Sequence, residues 1–238
     1  MIGILAYGSL ITHPGHEIEN VLDHVIPDVM TPFPVEYARR SQSRAGAPTL
    51  VPVPTGCGAS VKAVVLVLKK YTRKQKAQNF LYRREIHQEG DLTINYDDQA
   101  QRQKRDALVI ETMQNQFGLS VIYYTALKPN FTEILDAERT QEEKAELLAR
   151  AAIDSVTQET CRKGLDGIQY LADNIEASVV TVLTEPYAQA ILNKVRNVSN
   201  LGQAHKLIAQ AERNHCMIDE NLPTNVFTLR QSEFRAIP

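Results

Sequence analysis

Two features of this chain combine residue types that could do chemistry. The first is Tyr7-Gly8-Ser9-Leu10, where the apolar run from Ile2 to Tyr7 ends. A glycine after a strand permits a positive φ and lets a ligand approach the backbone closely. Successive exposed N–H groups in such a turn form a concave anion site or an oxyanion hole. The second is Phe80-Leu-Tyr-Arg-Arg-Glu85-Ile86, which sets a carboxylate late in a helix beside apolar residues. The helix macrodipole opposes a glutamate there, so stability alone does not select it. Partial burial would suit such a group to take and return a proton near neutral pH. Taken alone, the tetrapeptide also fits a tight strand exit. The distant glutamate is what points it toward chemistry.

Other candidates carry less. Arg39-Arg40-Ser-Gln-Ser-Arg44 fits a solvated strand end, or the capture of a substrate carboxylate by a guanidinium fork. His13 and His16 lie close together, with no carboxylate or further His at metal spacing, and read as a surface loop. His24, His87, His205 and His215 are scattered. Cys57, Cys161 and Cys216 form no CxxC pair and read as separate reduced thiols. No GxGxxG, phosphate-binding loop or GxSxG motif is present, so no metal and no cofactor is expected. Glu89, followed by Gly90, is a second carboxylate four residues beyond Glu85; it reads more like an exposed turn, but the assignment between the two stays open.

These residues need elements to position them. The chain has 238 residues with a formal charge of −2, and 43% are hydrophobic. That composition fits a soluble fold and gives no basic face for nucleic acid or a membrane surface. No run approaches the roughly 20 apolar residues of a membrane span, and no signal peptide is apparent, so a cytoplasmic location is expected. Strands are expected over Ile2–Tyr7, Phe33–Arg39, Thr49–Val53, Ala59–Leu68 and Leu119–Leu127. The three prolines between Pro27 and Pro34 argue against a central strand there. Helices are expected over Glu17–His24, over Thr72–Glu85 with Thr72 as N-cap, and over Asp97–Phe117 with Gly118 past its end. After residue 130 the pattern turns helical. Thr140-Gln-Glu-Glu143 is a capping box, Thr184-Glu-Pro starts a helix, and Leu201, Ala204, Ile208 and Ala211 mark another. Val226 to Leu229 could form a last strand. The reading is an α+β core over residues 1–130, with a compact mixed or barrel-like sheet, and a mainly helical extension over 131–238.

The ordered set resembles the γ-glutamylcyclotransferase-like superfamily. Tyr7-Gly8-Ser9-Leu10 is similar to its strand-end signature. Phe33-Pro-Val-Glu-Tyr-Ala-Arg-Arg-Ser, Thr49-Leu-Val-Pro-Val and the Val61–Leu68 strand follow in the family's order. Leu81-Tyr-Arg-Arg-Glu85 is similar to the segment carrying its catalytic glutamate, and Tyr123-Tyr124 to its closing strand. The resemblance spans roughly residues 1–130 and implies a small mixed β-barrel with flanking helices. It also implies release of 5-oxoproline from a small γ-glutamyl compound, with Glu85 as general acid/base and Tyr7, Gly8, Ser9 and Leu10 holding substrate. Arg44 and Tyr124 are further possible contacts. The extension is longer than in minimal members and bears on substrate identity. A γ-glutamyl acyltransferase acting on a larger metabolite, and a ligand-binding protein without catalysis, stand as alternatives.

Overall fold

The computed structural model describes residues 1–104, 106–157 and 165–216, with side chains to residue 211. Its order is β1 (Ile2–Ala6), α1 (Ser9–Thr12), α2 (His16–Glu19), β2 (Leu22–Met30), β3 (Val35–Ser41), β4 (Ala47–Pro52), β5 (Lys62–Leu68), α3 (Lys74–Glu85), α4 (Asp98–Arg102), β6 (Val109–Gln116), β7 (Leu119–Ala126), α5 (Gln141–Val156), α6 (Gly167–Glu176), α7 (Thr184–Lys194) and α8 (Leu201–Cys216). Five strands form one mixed sheet in the order β2-β5-β1-β7-β6. β1 lies at its centre, antiparallel to β5 and parallel to β7, with Ile4 paired to both Leu66 and Tyr123. All five residues of β1 are buried, as its unbroken apolar run requires.

α3 packs on this sheet through Ala77, Phe80 and Leu81, which share a core with Ile4, Ala6, Leu66 and Leu68. A buried ion pair ties α3 to α2: Arg83 donates to both carboxylate oxygens of Glu17, at 2.8 and 2.7 Å, and to the Ile94 carbonyl. Helices α5 to α8 cover the β3–β4 ribbon. Val35, Tyr37, Leu50 and Val51 share one apolar cluster with Leu148, Ile168, Leu171 and Tyr187. The segment beyond residue 130 is therefore built into the core of the preceding one.

Four expectations need correction. The sheet does not close into a barrel among the described residues. β3 and β4 form a separate ribbon, joined toward β5 only by a single bridge between Val35 and Ala59. The apolar side chains of that ribbon are covered by the extension's helices, which offers burial without closure. Residues 97–117 are not one helix. Asp97 caps only the short α4, and Val109–Gln116 is a strand. Phe117 and Gly118 both have positive φ, and Gln116 pairs with Leu119. That is a two-residue hairpin turn, whose glycine mimics a helix stop in the sequence. The helix expected over Glu17–His24 is only the single turn α2, and Leu22 already opens the strand β2. Pro27 fits there because β2 is an edge with a register shift between Ile26 and Val29, so the exclusion of a central strand stands. Arg73 rather than Thr72 occupies the N-cap position of α3 and gives no side-chain cap. The capping box at Thr140 and Glu143 is present, and α7 and α8 stand where expected. Val226–Leu229 and Cys161 lie outside the described residues. No described helix is long and apolar enough to cross a membrane.

Candidate active site

β1 ends at Ala6, and the chain turns through Gly8 into the single turn of α1. Gly8 has φ +60° and ψ −141°, a conformation that L side chains rarely adopt. The turn thus needs glycine, but not for the expected reason of ligand approach. A Cβ there would lie 2.9 Å from the Tyr170 hydroxyl and 3.6 Å from Oδ1 of Asn174. The space beside Gly8 is filled by the extension, and Gly8 lines neither of the cavities described next.

Two adjoining cavities meet at this turn. The inner one, about 50 Å³, is lined by Tyr7, Ser9, Leu10, Val51, Thr125 and Glu85, among others. At roughly 10–15 Å³ per water-sized group, it holds only a few such groups. The outer cleft, about 600 Å³, is walled by Arg39, Arg44, the Ser41–Ser43 turn, Lys104 and Asp106. Ser9, Leu50, Arg84, Glu85, Leu127 and Tyr170 line both, so they ring the junction. The expected pairing of Glu85 with the turn is therefore present. Sequence separation of 76 residues is closed because α3 docks on β1 and ends beside its exit.

Arg84 fastens that junction. It donates to Oε1 of Glu85 at 2.6 Å, to the Ser9 carbonyl at 3.0 Å and to the His13 carbonyl at 2.7 Å. Among the described residues, Oε2 of Glu85 carries no such bond. Tyr7 donates to the Thr125 carbonyl at 3.0 Å, which anchors its ring across β1 and β7. Burial, and then the nearby Glu85 charge, pushes the Tyr7 phenol well above its ordinary pKa, so it stays protonated.

Glu89 points elsewhere. It lies 3.4 Å from His16, and neither cavity includes it. Of the two carboxylates left open by the sequence, Glu85 alone meets the turn. Tyr124 stacks on Phe33 at 4.6 Å and lines neither cavity. Arg44 lines the outer cleft, as does Arg39, whose NH1 donates to the Lys128 carbonyl. Burial lowers the Arg39 pKa, against the opposing effect of Asp106. His13 and His16 join no metal cluster among the described residues.

Arg84 and Tyr170 were not singled out in the sequence. Arg84 stood beside the candidate glutamate and was read only as its neighbour. Tyr170 follows Ile168 and precedes Leu171 in an amphipathic helix, where an aromatic reads as core. Nothing local links it to a turn more than 160 residues earlier.

The chain matches no family model, no curated protein and no solved structure in comparisons with each.

Proposed function

We propose that this protein is a γ-glutamylcyclotransferase-like enzyme that releases 5-oxoproline from a small γ-glutamyl compound. The observation that carries this reading is the shared junction: Glu85 and Ser9 line both cavities, and Leu10 lines the inner one. The reacting α-amine and γ-carbonyl would meet at the junction, with the rest of the substrate, the leaving amine included, in the outer cleft. Oε2 of Glu85 takes a proton from the substrate ammonium. The freed α-amine attacks the γ-carbonyl carbon, forming the ring C–N bond and an oxyanion. Collapse of the oxyanion breaks the original amide C–N bond. Glu85 returns its proton to the departing amine and then relays the surplus proton of the ring nitrogen to it, so the lactam leaves neutral and the amine as an ammonium. The amides of the Ser9–Leu10 turn face the developing charge. Holding the amine against the carbonyl makes the attack intramolecular, which lowers its entropic cost. Arg39 and Arg44 suit the cleft to a leaving amine that bears a carboxylate.

The test is incubation with γ-glutamyl dipeptides, glutathione and γ-glutamyl amines, with chromatographic detection of 5-oxoproline. Glu85→Gln is expected to lower kcat by about 10²–10⁴-fold, the range for loss of a general acid/base. No 5-oxoproline from any substrate, or a fully active E85Q protein, overturns the reading. The size of the outer cleft favours a second reading, acyl transfer to an acceptor amine. A γ-glutamyl transfer product that replaces 5-oxoproline when an amine is added would establish that one. Tight binding without turnover, unchanged in E85Q, would instead mark a ligand-binding protein.

A further inference from the structure

Tyr170 comes from α6 of the extension, yet its side chain sits at the junction of the two cavities with Ser9 and Glu85. Its position is fixed from several sides. The hydroxyl accepts the Leu50 N–H at 3.4 Å and rests against the bare Cα of Gly8. The ring meets Tyr37 edge-on, with centroids 6.3 Å apart, and the Arg44 guanidinium lies 4.6 Å from its centroid. Arg44 also donates to the Leu165 carbonyl, just ahead of α6. Asp166 then caps α6 through the amides of Ile168 and Gln169, and its other oxygen meets His205 of α8 at 2.9 Å.

We propose that Tyr170 is a catalytic residue supplied by the extension, its phenol donating a hydrogen bond to the oxygen of the scissile γ-carbonyl. This rests on the cyclotransferase reading. That carbonyl must lie at the junction, because Glu85, which moves the proton, lines it. The hydroxyl accepts the Leu50 N–H and is hydrogen-bonded to the Asn174 side chain, so its proton turns from that amide to the ligand oxygen when substrate is bound. The proton is not transferred. Carbonyl π electrons move onto the oxygen as the ring C–N bond forms, and the phenol bonds more strongly to the oxyanion than to the amide carbonyl of the ground state. Burial raises the phenol pKa, so it is a donor across the neutral range. The extension is therefore a fixed wall of the site rather than a lid, and Gly8 is glycine so that this phenol fits beside the turn.

The test compares Tyr170→Phe with the parent protein, with E85Q, and with Tyr37→Phe, a neighbouring tyrosine that lines neither cavity. Each is assayed for 5-oxoproline release, for thermal melting and for calorimetric binding of 5-oxoproline, whose lactam carbonyl is the oxygen in question. Y170F is expected to lower kcat about 10²–10³-fold, as for loss of one oxyanion donor. Its KM should change less than threefold, its melting temperature should stay near that of Y37F, and its 5-oxoproline binding should weaken about tenfold. If the parent turns over, E85Q does not, and Y170F matches the parent in kcat and binding, the Tyr170 assignment falls and the cyclotransferase reading stands. A Y170F protein with no melting transition beside a normal Y37F assigns Tyr170 to packing and overturns the proposal. A parent that neither turns over nor binds 5-oxoproline overturns both.

Discussion

Five hydrogen bonds leave the Arg84 guanidinium: two to the His13 carbonyl, two to Ser9 and one to Glu85. They place the carboxylate and the turn at one fixed separation, which proximity catalysis requires. A lysine carries charge but no planar fork, so it cannot satisfy two carbonyls and a carboxylate together. Arg84→Lys is expected to lower kcat by at least tenfold with a smaller change in KM, and Arg84→Ala to lower it further. Steady-state kinetics on γ-glutamyl dipeptides checks this. An R84K protein with parental kcat would remove Arg84 from the positioning of Glu85. At this scale the sequence was legible where chemistry restricts residue type. A glutamate at a helix end is an unusual choice, and Glu85 sits at the junction; the glycine at the strand exit marks the turn beside it, though Gly8 lines neither cavity. Arginine and tyrosine are common on helices for many reasons, so Arg84 and Tyr170 gave no signal.

The helix that delivers Glu85 is set by Arg83 one residue before Arg84. Arg83 and Glu17 are both buried and bonded through two N–H···O contacts. Burial acts to raise the Glu17 pKa, but the Arg83 hydrogen bonds and charge outweigh it and hold the carboxyl below its ordinary value. Removing the arginine leaves a carboxylate in a dry site. Arg83→Ala is expected to cost about 3–5 kcal/mol in urea unfolding at neutral pH. A group with a lowered folded pKa contributes stability above its unfolded pKa and loses it as pH falls through the folded value. The parent should therefore lose stability as pH falls below about 4.5, and R83A should lose less over that range. An R83A protein with parental stability would show that α3 is held by its apolar face alone. Elements were legible in the sequence where one period dominated: β1, β5, β7 and α5 follow their apolar patterns. Residues 97–117 misled because Asp97 is a genuine cap, while Phe117-Gly118 serves a hairpin as readily as a helix end. Pairing of Val109–Gln116 with β7 decided the matter, and pairing is not a local property.

Over the whole molecule, the question is what joins the first 130 residues to the helices that supply Tyr170. Apolar burial between the β3–β4 ribbon and α5–α7 does most of it, and for that reason the ribbon need not close the sheet. A buried carboxylate also crosses the same boundary. Glu36 of β3 is 1% exposed, and its carboxylate accepts from the Thr181 hydroxyl at 2.7 Å and from the amides of Tyr37 and Leu183. The strand expected over Phe33–Arg39 carries no local sign that Glu36 is buried. It is buried because the extension covers the face that a simple sheet would leave wet. Burial raises the Glu36 pKa from 4.5 to about 7, more than its three hydrogen bonds lower it. An acid with a raised folded pKa binds its proton more tightly when folded. Its contribution is fully present below pH 4.5, declines as pH rises through 7, and is gone above that. The size is on the order of 3 kcal/mol, at about 1.4 kcal/mol per pKa unit. Glu36→Gln keeps acceptor capacity without a titrating charge. It should flatten the pH dependence of unfolding free energy between pH 5 and about 7. Urea titrations of both proteins across that range measure the slope directly. If E36Q retains the parental slope, the titrating group is elsewhere and the join between the two parts is indifferent to this charge.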